Sequence, residues 1–244
     1  MQLHFKESGQ GRAVILLHGL FGASDNWHSI AMRLAESFHV FTVDQRNHGQ
    51  SPHSDEMNYF LMADDVAELM KSRGLETAIV IGHSMGGKTA MQFALQFPER
   101  VEKLVVADMA PRAYASSHDK IFTALLALDL KLFSARQEIE DVLAPEIPNL
   151  ALRRFLLKNL GRNSEGGFFW KINLRGLFKN YGHLREPVSG AAPFTRPTLF
   201  IRGSNSNYIN PDDEALIHEL FPHAEIQAIA GAGHWLHAEQ RRNF

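Results

Sequence analysis

Gly82-His83-Ser84-Met85-Gly86-Gly87 follows a short apolar run, Ala78-Ile79-Val80-Ile81, and leads into a helical pattern over residues 88–97 with Ala90, Ala94 and Leu95 on its inner face. The run reads as a buried strand. A serine wedged between such a strand and such a helix sits on a turn so tight that its neighbours must be nearly free of side chain, and Gly82 and Gly86 supply that room. The turn pushes the Ser84 hydroxyl out of the sheet. It also aims the Met85 N–H, at the positive end of the new helix, into the same space. This is how a chain exposes a nucleophile.

A second reading competes for these residues. Residues 82–89 also spell Gly-x-x-x-x-Gly-Lys-Thr, the phosphate-cradling loop of nucleotide triphosphatases, which likewise lies between a strand and a helix. Asp108, closing the run Leu104-Val105-Val106-Ala107, stands where a magnesium-holding carboxylate would. Bulky His83 and Met85 weigh against this, because they occupy the loop whose backbone amides would have to wrap an anion.

The composition sets outer bounds. A chain of 244 residues with 45% hydrophobic content can bury one sizeable α/β core together with an insertion. No apolar run approaches the roughly 18 residues that span a bilayer. The first residues, Met1-Gln2-Leu3-His4-Phe5-Lys6-Glu7, lack the apolar centre of a secretory signal, which makes the cytoplasm the default location. Cysteine is absent, so disulfides and thiolate metal sites are excluded. A net charge of -2 argues against a nucleic-acid partner across the whole surface.

Outward from the serine the pattern repeats. Upstream, Ala13-Val14-Ile15-Leu16-Leu17 is a continuous apolar run, as expected of a strand covered on both faces, and ends in His18-Gly19-Leu20-Phe21-Gly22. Asp25 or Asn26 then caps a helix carrying Trp27, Ile30, Leu34 and Phe38. Val40-Phe41-Thr42-Val43 makes the next strand, and a helix over residues 59–73 turns Val66, Leu69 and Met70 inward. Strands alternating with helices at short spacing predict a mostly parallel sheet with helices on both faces and ligands at the strands' carboxyl ends. After the strand at residues 104–107 the rhythm breaks. Residues 111–196 carry helical patterns and no clear strand, so they read as an inserted helical cap on a core made of residues 1–110 and 197–244. Strands return at residues 197–201 and 224–230, with a helix starting near Pro211 between them. His234 comes just after the last strand, behind Gly231-Ala232-Gly233.

With these pieces in place the chain resembles the α/β-hydrolase fold over nearly its whole length. The resemblance rests on His18-Gly19 after one strand, the Gly-His-Ser-Met-Gly turn and the Gly-x-Gly-His ending at His234. Asp44-Gln45-Arg46-Asn47-His48-Gly49-Gln50-Ser51-Pro52, with His18-Gly19-Leu20-Phe21-Gly22 upstream, is similar to the bacterial YbfF-type esterases. That likeness implies hydrolysis of simple esters and acyl-CoA thioesters.

The resemblance implies Ser84 as nucleophile and His234 as its base, with an acid between them in the sequence. In most of the superfamily that acid follows the strand placed here at residues 198–201. In this chain the turn reads Arg202-Gly203-Ser204-Asn205-Ser206, with no carboxylate. Asp108, ending the strand beside the nucleophile's, is the position used by some branches. Asp212 and Asp213 remain alternatives, although Asn210-Pro211-Asp212-Asp213-Glu214 also reads as an ordinary helix start. The oxyanion would rest on the backbone N–H groups of Met85 and of Leu20, or Phe21 in place of Leu20. His18, His48 and His83 read as structural turn or core residues and His237 as a rim residue. A serine nucleophile makes dehalogenase and epoxide hydrolase chemistry improbable. No histidine and carboxylate spacing suggests a metal, and no cofactor is expected.

Phe122, Phe133, Phe155, Phe168, Phe169, Phe178 and Phe194, with Trp170, suggest that the cap is largely core, with some rings lining an apolar acyl pocket. Within residues 149–185 the bases Arg153, Arg154, Lys158, Arg162, Lys171, Arg175, Lys179 and Arg185 face the single acid Glu165. This is either a solvated face or a guide for the phosphates of an acyl-CoA. The expected function is cleavage of carboxylic esters or thioesters of short to medium acyl groups. The alternatives are a C–C bond hydrolase or lyase on the same scaffold and a ligand sensor with little turnover. The resemblance also implies a full closing helix after His234. The sequence ends at Phe244, so either that helix is short or the sequence is truncated.

Overall fold

The computed structural model describes residues 1–240. Strand β1 (Phe5–Ser8) leads into β2 (Ala13–Leu17), followed by α1 (His28–Leu34), β3 (His39–Val43), α2 (Tyr59–Ser72), β4 (Ala78–His83), α3 (Met85–Gln96) and β5 (Val101–Ala107). Between β5 and the next long strand lie α4 (Asp119–Leu126), α5 (Arg136–Leu143), α6 (Leu150–Leu157), β6 (Leu160–Arg162), β7 (Phe168–Trp170), α7 (Leu174–Lys179) and α8 (Tyr181–Arg185). The sheet resumes with β8 (Thr198–Gly203), then α9 (Glu214–Leu220), β9 (Ala224–Ile229) and the short α10 (Leu236–Glu239). Residues 241–244, on which the expectation of a curtailed closing helix partly falls, lie outside the described residues.

The order of the main sheet is β1-β3-β2-β4-β5-β8-β9, and every pairing is parallel except β1 with β3. The alternation within β2 explains why both faces need helices. Val14 and Leu16 pack with Trp27, Ile30 and Ala31 around α1, whereas Ile15 and Leu17 pack with Val66, Met70, Ala90 and Ala94 of α2 and α3. All five residues of β2 are buried. Each of the Val, Ile and Leu side chains contributes on the order of 1.5–3 kcal/mol.

Chain order places the site. From β2 the chain steps to β3 on one side, then returns to lay β4 against the other edge of β2. The loops after β2 and β4 therefore diverge, opening a crevice at the carboxyl end of the sheet. His18 and Ser84 head those two loops.

Several local expectations are corrected. The N-terminal residues, weighed only as a possible leader, form the edge strand β1 against β3. Neither Asp25 nor Asn26 caps α1. Both lie in a 3₁₀ turn, Ser24–Trp27, where the Asn26 side-chain Oδ1 accepts the Ala23 N–H at 2.7 Å. Residues 111–196 also contain a two-stranded antiparallel pair, β6 with β7, among their helices. Three residues per strand are too short for an alternation pattern, and the Phe169 ring covers Gly161, where a Cβ would come within 2.4 Å of it. The inserted segment does not pack only on itself. Its buried Phe122, Ile139, Leu156 and Leu177 share one apolar cluster with Phe21, Met57, Tyr59, Met62 and Met85 of the sheet's loops and helices.

Candidate active site

Ser84 has φ 54° and ψ −119°, a left-handed conformation that a side-chain-bearing residue adopts only under constraint. The constraint is the crowding of its neighbours. A Cβ on Gly82 would meet the Gly86 carbonyl oxygen at 2.0 Å, and one on Gly86 would meet the Leu17 carbonyl oxygen at 2.3 Å. Glycine at both positions lets β4 turn directly into α3, which leaves Ser84 at the crest.

The Ser84 Oγ lies 3.0 Å from His234 Nε2, and His234 Nδ1 lies 2.7 Å from Asp108 Oδ2. The fully buried Asp108 carboxylate also accepts the Gly203 N–H at 3.0 Å and the Ser206 hydroxyl. Two donors besides the imidazole therefore orient it, as a buried carboxylate requires. Asp108 has φ 51°, which turns its side chain from the end of β5 toward β8 and the loop bearing His234. Asp213 is engaged elsewhere. It caps its turn through Asn210 N–H at 2.8 Å and pairs with Arg112 Nε at 2.7 Å, and Asp212 is exposed.

The loop after β2 is held by two buried histidines. His18 Nδ1–H donates to the Gly19 carbonyl at 2.8 Å, and its Nε2 accepts Gln45 N–H at 3.1 Å. His48 Nδ1–H donates to the Arg46 carbonyl at 2.9 Å, and its Nε2 accepts Phe21 N–H at 3.2 Å. These bonds fix neutral tautomers. Burial, then the neighbouring His18, pushes the His48 imidazolium down to about 3, and burial likewise lowers His18. The Phe21 amide is committed to His48, while Leu20 and Met85 both border the cavity at Ser84. Met85 opens α3, where the first amides have no intrahelical partner.

Sequence reasoning missed the residues of the inserted segment that fasten this loop and the loop after β3. Asn159 Nδ2 donates to the Phe21 carbonyl at 2.8 Å, and Asn173 donates through its backbone N–H to the Asn47 carbonyl at 3.0 Å. Isolated asparagines carry no pattern that would have singled them out. His237, expected at the rim, is buried. Its ring stacks on Trp27 with centroids 4.8 Å apart and lies 4.4 Å from His83. His83 Nε2 contacts the His234 carbonyl at 2.7 Å, so it positions the loop bearing that histidine.

The nucleotide-loop reading fails on geometry. Lys88, the residue that would reach a phosphate, is fully buried with its ammonium donated to the Arg185 and Glu186 carbonyls, and Thr89 Oγ1 bonds back to the Met85 carbonyl. Among the described residues no cluster of three or more His, Cys, Asp or Glu side chains could hold a metal, and no helix is long and apolar enough to cross a membrane.

A sequence profile of the alpha/beta hydrolase fold matches residues 12–240. The chain belongs to the α/β-hydrolase family. This α/β hydrolase is 38% identical over 240 residues to the sn-1-specific diacylglycerol lipase ABHD11 of Mus musculus, covering 95% of this chain and 78% of that one. It is 36% identical over 228 residues to esterase YbfF of Escherichia coli (strain K12), covering 93% and 87%. Among solved structures it is similar to a marine microorganism esterase at 47% identity and a TM-score of 0.97, covering 100% of this chain and 96% of that one.

Two cavities meet at the hydrolase's serine. One, of about 60 Å³, is bordered by His234, Trp235 and Phe155; the other, of about 280 Å³, by Met85, Arg112, Tyr114, Tyr181, Arg185 and Tyr208. Leu20, Ser84 and His118 border both. The cap phenylalanines are expected to be mostly core, with some rings lining a pocket. Phe155 borders the smaller cavity, whereas Phe122 and Phe194 are buried in packing and Phe169 and Phe178 are exposed. The larger cavity is walled by tyrosine and arginine.

Proposed function

We propose that this chain is a serine hydrolase of carboxylic esters, working through Ser84, His234 and Asp108. Supporting it is the continuous hydrogen-bonded line from Ser84 Oγ through His234 to a buried carboxylate. In this reading His234 takes the Ser84 proton as Oγ attacks the acyl carbonyl, and Asp108 stabilises the imidazolium that forms. The oxyanion rests on the Leu20 and Met85 amides, each contributing about 3 kcal/mol to the transition state. His234 returns the proton to the departing alkoxide, leaving an acyl-serine. A water, deprotonated by the same imidazole, releases the acid and restores Ser84. Residues 111–196 act as a cap that shapes the two cavities.

The esterase and lipase names of the relatives support ester substrates. A thioester with a phosphate-bearing thiol fits the same chemistry on the leaving-group side. Lys158 and Lys171 border a hollow of about 330 Å³ that shares Phe21, Gly22, Asn26 and Phe155 with the smaller cavity at Ser84. Arg153 is occupied by the Ile147 and Pro148 carbonyls and Arg154 by Glu140, so these two are less available to guide an anion. The test of the nucleophile is covalent trapping. A fluorophosphonate ester should add one phosphonyl mass to the peptide bearing Ser84 and none to Ser84→Ala, whereas labelling that persists in that variant would remove Ser84 from the role.

A further inference from the structure

Resting on that reading, the two cavities at Ser84 can be given sides. His234 must hand its proton to the leaving oxygen, so the leaving group lies toward His234, in the smaller cavity that the imidazole borders. The acyl group then lies in the larger cavity, past Met85.

The charge in that acyl cavity is one-sided. Arg112 is compensated by Asp213 at 2.7 Å and rests 4.0 Å from the centre of the Tyr114 ring. Arg185 is not compensated. Its Nη1 makes one long contact of 3.4 Å to the Tyr114 carbonyl, its guanidinium lies 5.5 Å from the centre of the Tyr181 ring, and its Nε is buried with no hydrogen-bond partner. Among the described residues no carboxylate lies within ion-pairing distance of Arg185. The neighbouring Glu186 pairs instead with His183 at 3.1 Å. Behind this wall Lys88 is fully buried against the Arg185 and Glu186 carbonyls, and burial together with Arg112 pushes its ammonium down to about 7. Two guanidiniums thus share one carboxylate on the wall of a cavity that must hold an acyl chain.

Arg185 is half-buried, and its Nη groups, with that single long contact between them, keep donors for a ligand in the cavity the residue borders. Its planar fork of donors matches a carboxylate in two-point contact, which a plain alkyl chain cannot supply. We propose that Arg185, flanked by Arg112, is the recognition site for a free carboxylate on the acyl part of the substrate, so that monoesters of short dicarboxylic acids are preferred over alkanoate esters of equal length. Tyr114 and Tyr181 hold the guanidinium in place. The remaining wall, Met85, Met109 and Leu184, receives the intervening methylenes.

The experiment compares monomethyl glutarate with methyl pentanoate by pH-stat proton release at pH 7. The wild type should favour monomethyl glutarate in kcat/KM by at least about tenfold. Arg185→Gln should lower that preference roughly 10–100-fold, the range expected for losing a hydrogen bond to a charged group, and Arg185→Lys should fall between. Independently of any variant, glutarate should inhibit wild-type hydrolysis of methyl pentanoate at far lower concentration than pentanoate does. A wild type that prefers methyl pentanoate, or a preference unmoved in Arg185→Gln, overturns the carboxylate site while leaving the esterase standing. Turnover of neither ester overturns the esterase reading and the site with it.

Discussion

The His234 imidazole lies flat against the Tyr208 ring, with centroids 3.7 Å apart and 14° between the planes. Asp108 and Ser84 fix the two nitrogens, and Tyr208 fixes the plane in which they lie. If His234 becomes a cation during attack, the tyrosine face is also where that charge is favoured. Tyr208→Ala should therefore lower kcat about 3–10-fold, the scale of one aromatic pair, with little change in KM, and Tyr208→Phe should retain nearly full rate. Steady-state kinetics on a neutral ester decide this. Equal losses in both variants would assign the effect to the hydroxyl instead.

Ser84 adopts a conformation that glycine takes without strain. The strain is on the order of 1–3 kcal/mol, offset in part by the extra chain entropy of glycine. Ser84→Gly should abolish turnover and yet raise the melting temperature by about 2–4 °C, the shift that 1 kcal/mol produces in a domain of this size. A melting temperature below that of wild type would show the turn to be relaxed with serine in place.

The structure also predicts acid sensitivity from buried neutral histidines. His48 is pushed down to about 3 by burial and His18, His118 to about 4 by burial and His234, and His83 well below its ordinary value by burial and then His237, His234 and His18. The unfolded chain binds these protons from about pH 6.5 downward, whereas the folded chain resists until about 3–4. Stability is therefore complete above about pH 6.5 and is lost as pH falls toward those lower values. At pH 4.5 His48 alone removes about 2–3 kcal/mol relative to pH 7. Urea unfolding at the two values should show the drop, reduced in His48→Gln. A free energy flat across this range would contradict it.

What could be read before the fold was known follows from how many residues carry each signal. β2 and β4 announce themselves because an apolar run covered on both faces has no polar positions to confuse it, and the glycines around Ser84 are demanded by backbone atoms within about 2 Å. β1 escaped notice because Lys6 and Glu7 interrupt an edge strand whose outer side faces water. The pair β6 and β7 is held by a ring lying over Gly161, a contact across the hairpin that no local pattern encodes. His237 was misplaced for the same reason. Its burial comes from Trp27, more than two hundred positions away in the chain. The wall of the larger cavity was hidden because Arg112 and Arg185 lie near opposite ends of the inserted segment and border one cavity only after it folds back. Counting phenylalanines within that segment measured its packing, not its cavity.

The most direct measurement is the initial rate of p-nitrophenyl butyrate hydrolysis by the wild type, Asp108→Asn and Asp212→Asn. If Asp108 is the carboxylate that works through His234, Asp108→Asn should lose on the order of 10⁴ in kcat, while Asp212→Asn, on an exposed helix start, stays within about twofold of wild type. Asp108→Asn retaining a tenth or more of the rate, or a wild type inert on this ester, would contradict the account.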